Sequence, residues 1–241
     1  MARKRLDTLL VERGLAESRA KAQALIMAGE VAVAGKPAAK SGTLVSEDAE
    51  ITVAQPSPYV SRGGIKLAHA LDAFEINVSG MVAADIGAST GGFTDCLLQR
   101  GAVKVYAIDV GRGQLDYRLR QDKKVVVMEK INARYPVSLP EKVDLATIDL
   151  SFISATMVIP SVVNLLKDNG IMVVLLKPQF EAKRKEVGRG GIIKDPQVHA
   201  RILGRFIKWV VAHDLRLKGL KVSPILGASG NKEFFLFLKL T

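Results

Sequence analysis

Apolar residues recur at helical spacing at the start of the chain. Leu6, Leu9, Leu10 and Leu15 predict a helix that Gly14 can end. Ser18 is placed to N-cap a second helix carrying Ala20, Ala24, Leu25 and Ile26 and closed by Gly29. Val31 and Val33 then alternate, Gly35-Lys36-Pro37 predicts a turn, and Ile51-Thr52-Val53 reads as a last short strand. Gln55-Pro56-Ser57-Pro58 reads as a linker, because two prolines oppose both helix and sheet ladder.

Beyond the linker the pattern changes to strands alternating with helices. Helices are predicted at 65–74, 93–99, 157–166 and 198–213. Strands are predicted at 81–86, 103–110, 125–128, 143–150 and 171–176, the last wholly apolar. Such alternation predicts a mainly parallel sheet covered by helices on both faces. Two late apolar runs, 220–225 and 234–240, flank Gly227-Ala-Ser-Gly230-Asn231 and predict an antiparallel hairpin at the sheet edge. The expected organisation is α/β, with a small α+β domain at 1–58 and a larger domain at 59–241.

Composition narrows the function. Of 241 residues, 48% are hydrophobic but only 5% aromatic, so the core must be built from Val, Leu, Ile and Ala. A single cysteine excludes a disulfide framework and a Cys-cluster metal site, and three scattered histidines offer no metal motif. No metal is expected. No run of 18 apolar residues predicts a membrane span, and charges near Met1 oppose an export signal, so a cytoplasmic protein is expected.

The net charge of +11 points to a polyanionic partner, nucleic acid first. That charge is uneven: the first 60 residues hold eight basic and seven acidic groups. Within them, Arg3, Lys4, Arg5, Arg13, Arg19 and Lys21 crowd the two predicted helices, while Glu47, Asp48 and Glu50 lie far along the chain. A solvated helix face and a phosphate-binding face fit this polarity equally. A second cluster, Lys183, Arg184, Lys185, Arg189 and Lys194, follows the apolar strand at 171–176.

The strongest chemical signal is Asp85-Ile-Gly87-Ala-Ser89-Thr90-Gly91-Gly92-Phe93 between a strand and a helix. Glycines admit a ligand close to the backbone, and the helix start offers free N–H groups. The spacing is neither G-x-G-x-x-G nor a P-loop. Asp109 ends the next strand, 24 residues after Asp85, where doubly wound folds hold a ribose through its hydroxyls. A nucleotide-like cofactor is expected. Asp149 and Lys177 end later strands, Glu233 opens the last one, and Lys66 lies on the helix before the first. Each alone reads as a rim charge; together they would face one crevice, with a partly desolvated Lys177 amine.

The stretch Arg5-Leu-Asp-x-x-Leu-Val-x-x-Gly-Leu-x-x-Ser-Arg-x-x-Ala, continued by Gly29-x-Val-x-Val-x-Gly, resembles the S4 RNA-binding module. The remainder resembles an FtsJ/RrmJ-type ribose methyltransferase. Both together, with Ser61-Arg-Gly-Gly-x-Lys66-Leu, Lys177-Pro-Gln-Phe-Glu181 and Gly188-Arg-Gly-Gly191-x-x-x-Asp195-Pro, make the whole chain similar to the TlyA family. That resemblance implies a Rossmann-like methyltransferase with a mostly parallel seven-stranded sheet, preceded by an S4-like domain. It implies 2′-O-methylation of cytidine in ribosomal RNA from S-adenosylmethionine, acting on rRNA or ribosomal subunits. The implied tetrad is Lys66, Asp149, Lys177 and Glu233. The implied cofactor residues are Asp85, Gly87, Ser89, Thr90, Gly91, Gly92 and Phe93, with Asp109 on the ribose and Asn132 near the adenine. Arg62 joins the basic residues above as an RNA contact. The short stretch after the last strand favours the large-subunit RNA, with the small-subunit RNA as a further candidate.

The rival readings are a membrane-active haemolysin-like protein, a non-catalytic RNA-binding protein, and a methyltransferase for small molecules or proteins. Cys96 and Trp209 are expected in the core, and His199 and His213 at a surface or cap. His69, three positions after Lys66, is a weak candidate for the crevice.

Overall fold

A computed structural model of the chain describes residues 3–27, 30–38, 40–53, 58–227 and 229–241. The predicted closure at Gly29, the linker residues 55–57 and Ala228 lie outside the described residues. Two compact units are present, residues 1–57 and 58–241.

The small unit contains β1 (Arg3–Arg5), α1 (Leu6–Glu12), α2 (Arg19–Met27), β2 (Val31–Val33), β3 (Lys36–Pro37), β4 (Leu44–Ser46) and β5 (Ile51–Val53). Leu6, Leu9 and Leu10 form the buried stripe of α1 and meet Ala22, Leu25 and Ile26 of α2. Lys21 N–H donates to Ser18 Oγ at 3.2 Å, the N-cap that the sequence predicts. Leu15 lies past the helix end and is exposed. Lys36 and Pro37 leave the turn and pair with β2, while β1 pairs with β4. Arg3, Lys4 and Arg5 are therefore extended strand residues, where the sequence placed them with the helices.

The large unit contains α3 (Arg62–Ala73), β6 (Val82–Ile86), α4 (Gly92–Gln99), β7 (Lys104–Asp109), α5 (Tyr117–Gln121) and β8 (Val125–Glu129). It continues with β9 (Val143–Ile148), α6 (Ile159–Val163), β10 (Leu166–Leu176), α7 (Pro178–Glu181), α8 (Pro196–Ala212), β11 (Leu215–Val222) and β12 (Phe234–Leu240). The seven strands run in the order β11-β12-β10-β9-β6-β7-β8. All neighbours are parallel except at β12, which is antiparallel to both β10 and β11. The chain order reverses between β6 and β9, and α/β sheets place ligands outside the carboxyl ends of strands at such a switch.

Central strands are apolar on both sides because each side is covered. Ile86, Ile148, Val174 and Leu176 pack toward Ile159, Val162, Phe206 and Val210. Ala83, Leu145, Val173 and Leu175 pack toward Leu67, Leu71, Phe93 and Leu97. The helix expected at 157–166 is shorter. Ser154 caps a single 3₁₀ turn at Ala155–Met157, α6 begins with Pro160 in its first turn, and Leu166 already belongs to β10. β10 starts five residues earlier than expected and shifts register between Leu166 and Ile171. β11 likewise starts earlier, at Leu215. Its alternation breaks between Leu217 and Gly219, where a Cβ on Gly219 would lie 2.7 Å from Phe74 Cε1.

Asp7 is fully buried in the small unit. It accepts from Arg5 Nε at 3.0 Å, Arg5 Nη2 at 2.9 Å, Arg19 Nη2 at 3.2 Å and Gln23 Nε2 at 2.9 Å. These donors, Arg5 foremost, hold its carboxyl far below the ordinary aspartate value. A depressed folded pKa stabilises fully above the unfolded value near 3.9, and the gain is lost as pH falls. Asp7→Asn is expected to lower the small unit's stability by about 1–3 kcal/mol at neutral pH. The deficit should shrink as the medium is acidified below about pH 4, read from the small unit's calorimetric transition.

Candidate active site

Three structural pieces form one crevice at the carboxyl ends of the central strands. The first is the turn between β6 and α4. Gly87 has φ 87°, and a Cβ there would sit 2.2 Å from the Asp149 carbonyl oxygen. Gly91 has φ 95°, and a Cβ there would sit 2.3 Å from Leu119 Cδ1. Only glycine fits either place. Asp109, at the end of β7, accepts from Ser89 N–H at 2.8 Å and Gly111 N–H at 2.6 Å. Each of its oxygens keeps a lone pair for a ligand hydroxyl.

The second piece is the segment entering α3. Gly64 packs where a Cβ would lie 2.2 Å from Tyr59 Cγ, and Ser61 Oγ lies against Gly92. The Ser61-Arg-Gly-Gly motif is thus a close backbone fit that carries Lys66 to the glycine turn. Lys66 Nζ meets Glu233 Oε2 at 2.6 Å, and the two residues are 9% and 3% exposed.

The third piece joins the ends of β9 and β10. Lys177 Nζ lies 2.6 Å from Asp149 Oδ1 and donates to Ser151 Oγ at 3.1 Å. The Asp149 contact is one of charge rather than aligned hydrogen bonding: Oδ1 is buried with no hydrogen-bond donor among the described residues. That oxygen retains capacity for an incoming polar hydrogen.

The four charged residues of the expected tetrad line one cavity of about 310 Å³, together with Ser61, Arg62, Gly63, Gly87, Ser89, Thr90, Gly92 and Phe93. A second cavity of about 450 Å³ shares Gly87, Ser89 and Asp149 with it. This one is lined by Asp109, Asn132, Gln114 and the apolar Ile86, Ile108, Ile131, Leu150 and Ile153. A polar chamber thus adjoins an apolar one of nucleoside dimensions.

Two expected cofactor residues line neither cavity. Gly91 is the left-handed N-cap of α4 and packs toward Leu115 and Leu119. Asp85 is 0% exposed and accepts from Thr94 Oγ1 at 2.7 Å and Thr147 Oγ1 at 3.1 Å. A charged group on a strand covered on both faces must find partners inside, so Asp85 braces the turn from below. Burial pushes its pKa up to about 7, and the nearby Asp149 charge adds to the rise.

The basic residues divide. Lys4 meets Glu12 at 2.8 Å and Glu47 at 3.2 Å; Arg5 and Arg19 are held by Asp7. Arg13 donates to the carbonyls of Ala49, at 2.7 Å, and Glu47. Folding therefore returns Glu47, distant along the chain, to the basic group, and the charge separation read from the sequence is reduced. Arg3 and Lys21 are exposed. Lys183, Arg184 and Lys185 are exposed on a loop fixed by Glu186, which pairs with Arg205 at 2.7 Å and accepts from Lys183 N–H at 2.8 Å. The Arg189 side chain lies outside the described residues.

Several other expectations change. His199 is buried against Phe234, with ring centroids 5.5 Å apart, and burial lowers its pKa. Its spacing to Ile202, Phe206 and Val210 on one helix face carried that signal. His69 is exposed and lines neither cavity, and Trp209 is half-buried, stacked on His213. Cys96 is buried in the core, as the sequence reading expects, and burial pushes its thiol up to about 12. Sequence reasoning missed Phe152, 91% exposed at φ 66° on the cavity rim and 5.2 Å from the Phe180 ring. An aromatic three residues after a strand-end carboxylate was the available clue. Gln114 and Ser151 left no pattern.

A family model of FtsJ-like methyltransferases matches residues 59–240, and one of the S4 domain matches residues 4–51. YqxC of Bacillus subtilis, named as a candidate rRNA methyltransferase, is 49% identical over 98% of this chain and 85% of its own length. The 16S/23S rRNA (cytidine-2′-O)-methyltransferase TlyA of Mycobacterium tuberculosis is 47% identical over 99% of this chain and 91% of its own. A solved Streptococcus thermophilus structure described as a candidate hemolysin superimposes with a TM-score of 0.78 at 42% identity, covering 100% of this chain and 90% of that one. Fold and crevice together define an α/β methyltransferase carrying an S4 domain. Within that class the chain belongs to the TlyA family. No helix among the described residues is long and apolar enough to cross a membrane, and no group of three His, Cys, Asp or Glu there could hold a metal ion.

A raised carboxyl pKa stabilises below the unfolded value and weakens the fold as pH rises through the folded value. Asp85→Asn carries no such charge. Relative to the parent chain it is expected to gain roughly 2–4 kcal/mol between about pH 4 and pH 8, measured by urea unfolding across that range.

Proposed function

We propose that the chain transfers a methyl group from S-adenosylmethionine to the 2′-hydroxyl of a cytidine in ribosomal RNA. The observation that carries this reading is the convergence of two Lys–carboxylate pairs on a chamber that adjoins an apolar, Asp109-edged cavity. The cavities fit the cofactor: close glycine backbone, a carboxylate with free lone pairs for ribose hydroxyls, and apolar walls for a base. Asp109 would take the ribose, Asn132 and the isoleucines the adenine, and Ser89, Thr90 and Gly92 the amino-acid end. Asp85 would act through the turn it braces.

When bound, the sulfonium supplies an electrophilic methyl and leaves as a neutral thioether. The protein must align and deprotonate a weakly acidic hydroxyl. Lys177 donates to Ser151 and lies against the charge of Asp149, and its remaining N–H capacity would serve the substrate oxygen as charge develops there. With Lys177 charged and donating, the hydroxyl proton would pass to Asp149 Oδ1, whose acceptor capacity is free, as the O–CH₃ bond forms. Lys66 and Glu233 fix the opposite wall. General acid–base catalysis contributes about 10²–10⁴-fold and alignment about 7–11 kcal/mol, so alignment is the larger share. Phe152 offers an aromatic face for the target base, which must leave its stack for the 2′-oxygen to reach the chamber. The haemolysin-like reading has no comparable support in this crevice.

Mass-spectrometric mapping of ribose methylation, on rRNA and on assembled subunits incubated with the protein, tests the assignment. A new 2′-O-methylcytidine is expected; no methyl incorporation into either substrate would overturn the reading. Lys177→Ala is expected to lower the single-turnover rate by about 10²–10⁴-fold with cofactor affinity unchanged. Binding to RNA should weaken linearly on a log–log salt plot. Each of Lys183→Ala, Arg184→Ala and Lys185→Ala should reduce the slope by about 1 if that residue contacts a phosphate.

A further inference from the structure

The Lys177-Pro-Gln-Phe-Glu181 motif contains a carboxylate that the methyl-transfer scheme leaves unused. Glu181 lies at the end of α7, four residues after Lys177. Its side chain does not turn to solvent. Oε2 accepts from Ser154 Oγ at 2.5 Å, and Oε1 accepts from Ala155 N–H at 2.7 Å. Ser154 and Ala155 begin the 3₁₀ turn that closes the loop after β9, and that loop carries Asp149, Ser151 and Phe152. The two loops are therefore tied at both ends. Lys177 meets Asp149 and Ser151 at the chamber, and Glu181 grips the far end of the same loop. Phe152 and Phe180 touch between these ties. Burial raises the Glu181 pKa, while the Ser154 and Ala155 donors and the charge of Arg205 on α8 oppose the rise.

We propose that Glu181 is a positioning residue that sets the reactive geometry of the Lys177–Asp149 pair by capping the turn behind Asp149. It touches no part of either large cavity, so it acts through the loop alone. A carboxylate suits this place because it accepts two converging donors at once, one from a side chain and one from the backbone. The inference rests on the methyl-transfer reading, and it assigns to that reaction a residue outside the chamber.

Single-turnover methyl transfer, cofactor affinity by calorimetry and melting temperature should be measured for Glu181→Ala, Glu181→Gln, Ser154→Ala and the double Ser154→Ala/Glu181→Ala variant. Glu181→Ala is expected to lower the rate about 10–100-fold, with cofactor affinity within about twofold of the parent chain. Glu181→Gln keeps the acceptor for Ala155 and should recover most of the rate. The double variant should be slower than Glu181→Ala by less than the Ser154→Ala effect alone, because the two changes share the Ser154–Glu181 contact. If Glu181→Ala does not fold, Ser154→Ala removes the Oε2 contact together with the Ser154 cap on Thr156 N–H, leaves the Ala155 bond to Glu181 in place, and must still slow transfer while sparing cofactor binding. Parent-like rates in both single alanine variants, equal loss of rate and cofactor affinity, additive effects, or a Glu181→Gln as slow as the alanine variant would each overturn the proposal. An inactive parent chain would overturn the methyl-transfer reading and this inference together. An active parent with unaffected variants would remove this inference alone.

Discussion

A buried lysine and a buried glutamate, 167 residues apart in sequence, hold the two flanks of the crevice together. Neither charge could remain so enclosed alone, because an unpaired ion in a protein interior costs several kcal/mol. Their contact therefore fixes α3 against the start of β12, and the chamber exists between them. Such a pair is not the cheapest way to stabilise a fold; apolar residues of similar volume would often do as well. Its retention at the mouth of a cavity, beside a second Lys–carboxylate pair, accords with a polar chamber built for chemistry rather than for packing.

The rest of the large unit places these groups with little freedom. Strand ends deliver Asp149, Lys177 and Asp109, and the sheet that sets their spacing is packed on both faces. The glycine turn is pressed against the Asp149 backbone on one side and Leu119 on the other. Asp85 links β6, β9 and α4 beneath it through two threonine hydroxyls. Rigid secondary structure thus supplies the alignment, and loops supply the contact surface.

Asp149, Lys177 and Glu233 were legible as charges at strand ends and Lys66 as a charge beside the Ser61-Arg-Gly-Gly motif, and the structure gathers all four on one chamber. The parallel sheet was legible because short apolar runs rich in β-branched residues, such as Val173-Val-Leu-Leu176, alternate with helical segments, the signature of strands covered on both faces. What escaped depends on pairing or on single dihedral angles. β1 and β4 are three residues each, too short for a periodic signal, and exist because they pair with each other. Phe152 reaches the rim through one left-handed residue, which no pattern announces. Arg5 and Arg19 were read as either a solvated or a phosphate-binding face, yet buried Asp7 engages both, a pairing no local pattern announces. His199 was misjudged although its helical phase matched the buried face.

The placement of β12 has a bearing on how the molecule is made. This strand is inserted between two strands that precede it in the chain, so a seat for it must stay open while the earlier segments collapse. Until that seat is filled, Phe235, Leu236 and Leu238 have no interior, and Lys66 has no counter-charge. During vectorial synthesis the emerging polypeptide would hold the glycine turn and three of the tetrad's four charged residues, but not the closed chamber. Competence arrives in a single late event, and a nascent chain stalled ahead of it would present an adhesive, unsealed sheet to the proteostasis machinery.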